Sequence, residues 1–261
     1  MSKVYYKSAE DIEQLRQSAT VLSQLLGEIA KEIRPGVTTL ALDKLAYDYI
    51  NDHGGRPAFL NYNGFPNSLC ISVNDQVVHG IPSDYELRDG DIVSVDGGVE
   101  LNSYISDSAY TFAVGEIADD VKQLLRVTLE SLQLGIDQAV AGKRVGDIAY
   151  AVQEHVTKYG YGIVRELVGH GVGFKLHEKP EVPNYGKRGA GPKLEEGLVI
   201  CIEPMINQGK AGVKFWDDGW TVSTVDGKPS AHYEHMVAVH KGSPEVLTTF
   251  AYIEEVLGKK S

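Results

Sequence analysis

Apolar residues recur every three or four positions in two stretches near the start of the chain. The first stretch opens with the capping-box spacing of Ser8 and Asp11 and closes before the Pro-Gly pair at residues 35–36. Its apolar positions are Ile12, Leu15, Ala19, Leu22, Leu26 and Ile29. The second stretch starts at Thr38, and its apolar positions are Leu42, Leu45, Ala46, Tyr49 and Ile50. This spacing predicts two amphipathic helices, the second ending near residues 54–55.

Shorter apolar runs follow the two predicted helices. Their length and composition predict strands at residues 68–73, 92–95 and 109–114. From residue 118 the helical pattern restarts, and it predicts two further helices that end at Gly142 and Gly160. The chain is therefore expected to have an α+β fold.

The restart indicates an internal duplication. A shift of 106 positions carries Gly36 onto Gly142, and a shift of 107 carries residues 90–96 onto residues 197–203. Both of the latter segments end in a carboxylate, so a duplicated α+β unit would place the two carboxylates near a pseudo-two-fold axis. Chance matching of small and apolar residues is the alternative.

Composition and charge narrow the possible partners. The 261 residues, 43% of them apolar, suffice for one large domain or two fused halves. A net charge of −11 disfavours nucleic acid and anionic membranes as partners. Two cysteines argue against a disulfide framework, and no run of about 18 apolar residues occurs. We therefore expect a cytoplasmic protein.

Asp96 and Asp107 flank a predicted hairpin. If the chain turns at residues 101–102, Glu100 faces Ser103 and the two aspartates lie directly opposite each other, with Cβ atoms roughly 5 Å apart. Like charges in that arrangement destabilise a sheet unless a cation neutralises them, and a pair of divalent ions about 3.5–4 Å apart would do so. A solvent-exposed aspartate or another register is the alternative.

Three histidines are candidates for the same site. His170 lies in the Gly-rich segment 169–173, where small neighbours would let the backbone approach a ligand. His177 follows closely, and His79 precedes the aspartate pair. A lone histidine is more often structural, but a neutral imidazole can also ligate a metal, donate a hydrogen bond or pass a proton.

Two glutamates complete the set of candidate ligands. Glu203 follows an apolar run, and a buried carboxylate without a partner costs several kcal/mol, so it requires a cation, a proton or hydrogen bonds. Glu234 opens another β-like run, where a charge on an edge strand is the alternative. Four carboxylates and a histidine suit paired Mn, Fe, Co or Zn ions better than a structural zinc site.

Taken in order, the motifs resemble those of type I methionine aminopeptidase, in the M24 metallopeptidase family. The resemblance extends from about residue 8 to about residue 250 and rests on residues 77–82, Asp96, Asp107, residues 169–173, His177, Glu178, residues 202–205 and residues 233–235. It implies a duplicated "pita-bread" α+β fold with pseudo-two-fold symmetry. Residues 1–261 would form a single catalytic domain whose halves span approximately 8–115 and 116–250.

The resemblance also implies a site with two divalent metal ions, which could be Co, Mn, Fe, Zn or Ni. Asp96 would chelate one ion and His170 would ligate the other, while Asp107 and Glu234 would bridge the two. Glu203 would ligate one ion and act as the general base.

The remaining implied residues contact the substrate. His79 and His177 would touch the scissile peptide and the tetrahedral intermediate that develops from it. The residues implied for the methionine side-chain pocket, which could otherwise be ordinary core, are Phe59, Tyr62, Phe65, Cys70, Leu176 and Trp220.

The chain departs from the family pattern at three positions. Leu176 stands where many members have Phe, Ile105 where His is common, and His232 where Gln is frequent. None of the three replaces an implied metal ligand, so the departures concern pocket shape and kinetics.

The expected function is metal-dependent hydrolysis that releases N-terminal methionine from nascent proteins and peptides, preferably before a small second residue, by a monomer. One alternative keeps the fold but changes the substrate, as in an Xaa-Pro aminopeptidase or a creatinase-like hydrolase. Such relatives usually carry an extra N-terminal domain, for which 261 residues leave no room. The other alternative, a non-enzymatic binding module, predicts eroded ligands, whereas all five are present.

Overall fold

A computed structural model of the chain describes residues 3–258. Within that range the helices are α1 (Ala9–Glu32), α2 (Thr39–Asp52), α3 (Asp119–Ile136), α4 (Val145–Thr157) and α5 (Ala251–Val256). The strands are β1 (Arg56–Pro57), β2 (Leu69–Val73), β3 (Gln76–Val78), β4 (Ile92–Leu101), β5 (Tyr104–Ala113), β6 (Gly162–Ile163), β7 (Gly169–Gly171), β8 (Glu178–Val182), β9 (Val199–Ile202), β10 (Met205–Asn207), β11 (Val213–Phe215), β12 (Val222–Thr224), β13 (Ser230–His232), β14 (His235–Ala238) and β15 (Glu245–Val246).

The predicted helix starts are confirmed by their caps. Ser8 Oγ accepts a hydrogen bond from the Asp11 backbone at 3.2 Å, and the Asp11 carboxylate accepts one from the Ser8 backbone at 2.8 Å. The Thr38 hydroxyl caps α2 by accepting from the Ala41 backbone at 3.1 Å. The apolar stripe of α1 is buried from Ile12 to Ala30, as its spacing predicts.

Two sheets carry the candidate site. In the first, β4 pairs with β1, β2 and β5, and in the second the strand order is β15-β14-β9-β7-β8. Two three-stranded sheets, β13-β10-β6 and β11-β12-β3, flank them in the described part of the chain. Strands β4 and β5 bring the aspartates, whereas β7 and β9 bring His170 and the segment that leads to Glu203.

The β4–β5 hairpin has a different register from the predicted one. Asp96 lies opposite Ala109, and Asp107 lies opposite Gly98. The predicted direct pairing of the two aspartates is therefore wrong. Because the partner of Asp96 moves by two residues, and side chains alternate with a period of two, both aspartates still point to the same face as diagonal neighbours.

The cause of the changed register is the turn itself. The chain turns at Asn102 and Ser103, which both have positive φ values of 52° and 67°. A two-residue hairpin turn with positive φ at both positions matches the twist of the strands, and Asn tolerates that conformation. A turn at Leu101 and Asn102 would have required the bulky Leu101 to adopt a positive φ, which is sterically unfavourable.

Matching contacts recur in the two halves of the chain. The Gly36 backbone N–H donates to the Leu87 carbonyl at 2.8 Å, and the Gly142 N–H donates to the Leu194 carbonyl at 2.8 Å. Both glycines have positive φ, which glycine adopts without steric cost. Equivalent turns that contact equivalent segments are what a duplicated unit predicts.

The largest hydrophobic cluster is continuous through both halves. It includes Leu26 of α1 and Val95 of β4 from the first half, with Leu132 of α3 and Ile202 of β9 from the second. Asp96 and Glu203 each follow one of these buried strand residues directly, so the shared core holds both carboxylates in place.

Candidate metal centre and substrate pocket

Every residue predicted for the site lines one pocket of about 220 Å³. One side, which we call the acidic wall, consists of Asp96, Asp107, His170, Glu203 and Glu234. The other side, the aromatic wall, consists of Phe59, Tyr62, Phe65 and Trp220, with Cys70 and Leu176 packed among them. His79 and His177 complete the lining.

Backbone hydrogen bonds join the acidic wall across the two sheets. Glu234 lies in the link between β13 and β14, where its backbone N–H donates to the Ala109 carbonyl at 2.9 Å. The Ser108 hydroxyl donates to the Glu234 carbonyl at 2.8 Å. These bonds hold Glu234 against the part of β5 that directly follows Asp107.

The carboxylates of the acidic wall are buried without enough partners. Asp96 Oδ1, Asp107 Oδ1 and Glu234 Oε1 have no hydrogen-bond partner within residues 3–258. Burial raises the pKa of Asp96 to about 7 and raises the pKa values of Asp107 and Glu234 well above their usual range. The pKa of Glu203 is raised in the same way, first by burial and then by the aspartates. Clustered, dry carboxylates require protons or cations, and they fit a divalent metal.

His170 presents a lone pair to the acidic wall. Its Nδ1–H donates to the Gly171 carbonyl at 2.9 Å, and burial lowers the pKa of the ring to about 3. The unprotonated Nε2 lies 3.5 Å from Glu203 Oε1 and 3.7 Å from Asp107 Oδ2. Such a contact with an ionised carboxylate is repulsive unless a proton or a cation lies between the atoms, and a backbone-oriented imidazole is typical of a metal ligand.

The structure adds two residues that the sequence did not single out as site residues. The ligand atoms of Asp107, His170, Cys201 and Glu234 all lie within 4.8 Å of one another. His232 is buried, and its Nε2, without a hydrogen-bond partner in the described residues, lies 3.7 Å from Glu203. Cys201 and His232 each stand two positions before a site glutamate, so strand alternation was the available signal.

The other two histidines are placed near the mouth of the pocket. His79 follows β3 directly with a φ of 58°, and burial together with the nearby His177 lowers its pKa to about 4. His177 is exposed, its ring centroid lies 4.3 Å from that of His170, and its Nδ1 lies 2.8 Å from the Tyr62 hydroxyl. A neutral His79 can donate or accept a hydrogen bond at neutral pH.

The aromatic wall is built from turns. Tyr62 lies in a single 3₁₀ turn, and Trp220 lies in the turn between β11 and β12. The rings of Phe65 and Trp220 meet edge to face at 5.1 Å. Burial and the nearby carboxylates raise the pKa of the Cys70 thiol, so it stays protonated and acts as a small apolar surface.

Two of the three departures from the family pattern, Leu176 and His232, line the pocket, and the third packs behind it. Leu176 is buried in the aromatic wall, and Ile105 packs against the same cluster. His232 lines the opposite side, beside Glu203.

The glycines beside His170 lie close to neighbouring strands. A Cβ on Gly169 would collide with the Cys201 carbonyl, and a Cβ on Gly171 would lie 2.6 Å from the Lys179 carbonyl oxygen. These glycines make room for β8 and β9.

Comparison with known proteins identifies the family. The sequence profile of metallopeptidase family M24 matches residues 13–241. The chain belongs to metallopeptidase family M24. Membership implies a divalent metal cofactor, and three residues of the acidic wall, Asp107, His170 and Glu234, belong with Cys201 to a group of side chains that could hold a metal ion.

The M24 relatives with similar sequences are methionine aminopeptidases. The methionine aminopeptidase of Clostridium perfringens is 49% identical over 94% of this chain and 98% of its own length. The crystal structure of methionine aminopeptidase from Rickettsia prowazekii matches with a TM-score of 0.92 and 39% identity, over 95% of this chain and 100% of that chain. The predicted family is confirmed.

A structural match at lower sequence identity shows the fold alone. The Xaa-Pro dipeptidase from Bacillus anthracis matches with a TM-score of 0.76 and 22% identity, over 94% of this chain but 62% of that chain. The predicted duplicated pita-bread fold is confirmed by these structural neighbours. No helix of residues 3–258 has the length and apolar character needed to cross a membrane.

Proposed function

We propose that this M24 metallopeptidase releases N-terminal methionine from nascent proteins and peptides, preferably when the second residue is small. One observation carries the proposal. A cluster of oxygen ligands and an aromatic, thioether-compatible surface face each other in a single pocket of about 220 Å³. The similarity to proteins named methionine aminopeptidase supports the same substrate.

The acidic wall would hold two divalent ions. Asp96 would chelate one ion and His170 the other, with Asp107 and Glu234 between them and Glu203 ligating one of the two. The unpartnered oxygens of Asp96, Asp107 and Glu234 supply the free coordination capacity. When bound, such ions supply Lewis acidity and lower the pKa of water, which is the chemistry that peptide hydrolysis needs.

Proton transfer is assigned to Glu203. Burial raises the pKa of Glu203 in the metal-free site, and this favours the transfer of a proton to its carboxylate. Its backbone carbonyl accepts a hydrogen bond from Asn184 Nδ2 at 3.0 Å, which fixes the residue at the end of β9. The base would therefore stay in position during turnover.

His79 and His177 would hold the peptide that is cut. Both rings line the pocket between the acidic and aromatic walls. The contact of His177 Nδ1 with Tyr62 leaves the other ring nitrogen for the substrate. A hydrogen bond donated to the scissile carbonyl would stabilise the charge that develops there.

The aromatic wall would bind the methionine side chain. Phe59, Phe65 and Leu176 are buried apolar surfaces, and Tyr62 and Trp220 close the pocket toward solvent. Sulfur packs favourably against aromatic rings, so a thioether suits this lining.

The wider organisation remains part of the proposal. We propose one catalytic domain over residues 1–261, with halves at approximately 8–115 and 116–250, that acts as a cytoplasmic monomer. The continuous core supports a single domain, and the net charge of −11 disfavours association with nucleic acid or anionic membranes.

The test is metal-dependent hydrolysis of Met-Ala-Ser, compared with Leu-Ala-Ser and an Xaa-Pro peptide. Metal-free protein is assayed alone and after addition of Mn²⁺, Fe²⁺, Co²⁺, Zn²⁺ or Ni²⁺. We expect cleavage of Met-Ala-Ser only after metal addition. Activity confined to the Xaa-Pro peptide would support the other substrate class of this fold, and no cleavage with any metal would support a binding module.

A further inference from the structure

A buried ion pair joins the start of the chain to the edge of the pocket. Lys7 Nζ lies 2.5 Å from Glu178 Oε2, and the two side chains are 0% and 1% exposed. Burying two charges is unfavourable unless geometry and extra hydrogen bonds compensate for lost hydration. This pair also lies outside the acidic wall, so the proposed chemistry does not account for it.

Backbone contacts place Lys7 at this position. Val4 forms a bridge with Lys179, and the Lys7 N–H donates to the Gly197 carbonyl at 2.6 Å. Two glycines leave room for Lys7. A Cβ on Gly173 would lie 2.7 Å from Lys7 Cε, and a Cβ on Gly197 would lie 2.6 Å from the Lys7 carbonyl oxygen.

The other end of the pair organises the segment of residues 173–178, which we call the histidine loop. Glu178 Oε1 accepts hydrogen bonds from the backbone of Phe174 at 2.8 Å and of Lys175 at 3.0 Å. One carboxylate oxygen of Glu178 therefore accepts hydrogen bonds from the backbone of the loop, while the other pairs with the Lys7 ammonium. The Lys7 ammonium also lies 5.3 Å from the centre of the Phe174 ring.

The histidine loop carries two residues of the pocket. Leu176 belongs to the aromatic wall, and His177 lies at the mouth beside His170. The loop has no regular secondary structure of its own before Glu178. Its polar contacts with the rest of the fold include the ion pair, the bond from the Ile105 N–H to the Gly173 carbonyl at 2.7 Å, and the contact of His177 Nδ1 with the Tyr62 hydroxyl at 2.8 Å.

We propose that the Lys7–Glu178 pair is a positioning device for the histidine loop, through which the N-terminal segment sets methionine selectivity and the placement of His177. The effect on methionine selectivity and turnover rests on the proposed function, whereas the role of the pair in holding the histidine loop does not. Lys7 and Glu178 are positioning residues, because neither lines the pocket that holds the acidic and aromatic walls.

The test uses Lys7→Met, Glu178→Gln and the double variant, with Lys179→Met as the matched control. Lys179 follows Glu178 in β8, and its side chain forms an exposed ion pair with Glu181 of the same strand. Amide hydrogen exchange of the histidine loop is measured in each full-length protein, with kcat and KM for Met-Ala-Ser and Leu-Ala-Ser. Melting temperature and bound metal are recorded alongside.

Each single variant should speed exchange at Phe174 and Lys175 by about tenfold or more and lower kcat/KM for Met-Ala-Ser by about 10- to 100-fold. The preference for Met over Leu should fall, while bound metal is retained. The double variant should recover much of the loss, because no unpaired charge stays buried and the introduced amide oxygen can still accept from the loop. Lys179→Met should behave as wild type.

A lowered melting temperature with unchanged loop exchange and unchanged Met-to-Leu preference would overturn the proposal, since a merely structural pair would give that result. Single variants that equal wild type in both readouts would also overturn it. If wild-type protein cleaved no peptide, the proposed function would fail, yet the exchange data would still decide whether the pair holds the loop. If the Lys7→Met protein does not fold, loop exchange, kcat and KM are still measured on Glu178→Gln, where the loss is expected, and on the double variant, where the recovery is expected.

Discussion

The two walls of the pocket are built in different ways. The acidic wall lies on or directly beside strands, its side chains are buried, and backbone bonds between sheets hold it. The aromatic wall lies on turns, and Tyr62 and Trp220 are only partly buried. Metal ligands require fixed geometry, whereas an apolar side chain tolerates adjustment of its surroundings. Substitutions should therefore separate metal binding from substrate selection.

The largest effect should follow the loss of charge from the acidic wall. Asp107→Asn removes a proposed bridging carboxylate, so turnover of Met-Ala-Ser should fall by about 10³-fold or more, with weaker metal binding. Calorimetric metal titration and steady-state kinetics measure the two effects.

Asp91→Asn is the matched control for Asp107→Asn. Asp91 is buried and directly precedes β4, the strand that pairs with β5, but its carboxylate is hydrogen-bonded to Asn74 and Tyr85, away from the pocket. Asp91→Asn should retain metal affinity. Near-normal turnover in Asp107→Asn would contradict the bridging role.

A residue between the two walls should affect the rate but not the metal. His79→Ala removes a hydrogen-bonding group at the pocket while leaving every acidic-wall residue intact, so kcat should fall by about 10²-fold. Metal content, measured by atomic emission, should match wild type. The exposed His53→Ala serves as the control with no change. Loss of metal from His79→Ala would mean that the ligand assignment is wrong.

Truncation in the aromatic wall should change substrate selection. Trp220→Ala should raise KM for Met-Ala-Ser by about tenfold and change kcat little, because apolar contact with methionine is lost in both ground and transition states. Trp216→Ala is the control, since Trp216 lies on the same hairpin but outside the pocket and is 44% exposed. An unchanged KM and Met-to-Leu preference in Trp220→Ala would remove that residue from the methionine pocket.

The smallest effect concerns the stability of the metal-free protein. In the fold, the pKa of Asp96 is about 7 against a usual value of 3.8, so its protonated form stabilises the native state at low pH. That contribution declines between about pH 4 and pH 7, at roughly 1.4 kcal/mol per pH unit for one carboxyl group, and is gone above about pH 7. The buried histidines, whose pKa values are lowered, change stability in the opposite direction below about pH 6.5, so a comparison with Asp96→Asn isolates the carboxyl group.

Thermal unfolding of metal-free wild type and of Asp96→Asn between about pH 5 and pH 8 measures this dependence. The melting temperature of wild type relative to that of Asp96→Asn should fall as pH rises to about 7 and level off above it, and Mn²⁺ should reverse the fall. A difference between the two melting temperatures that stays constant or grows up to about pH 7 would contradict the raised pKa.

The acidic wall was more predictable from the sequence than its detailed geometry. Asp96 and Glu203 each follow a run of apolar residues, and a buried charge in that setting indicates a partner ion. The hairpin register depended on which residues take positive φ, and the pattern of apolar positions does not contain that choice. The predicted register was wrong by two residues. Because side chains alternate with a period of two, this shift left both aspartates on the same face of the sheet.

The helices were predictable for a different reason. Caps such as Ser8 with Asp11 and Thr38 are local, so sequence spacing alone determines them. The glycines beside His170 depend on which distant strand packs against them, and the Lys7–Glu178 pair joins segments 171 residues apart. Such contacts become visible only in the folded chain.

The central claim is that the acidic wall holds two divalent ions opposite the aromatic wall. Anomalous scattering from Mn²⁺-soaked crystals, collected at the manganese edge, tests it most directly. The account predicts two peaks about 3.5–4 Å apart, surrounded by Asp96, Asp107, His170, Glu203 and Glu234. Absence of a peak there, or the strongest manganese site elsewhere on the acidic surface, would contradict it.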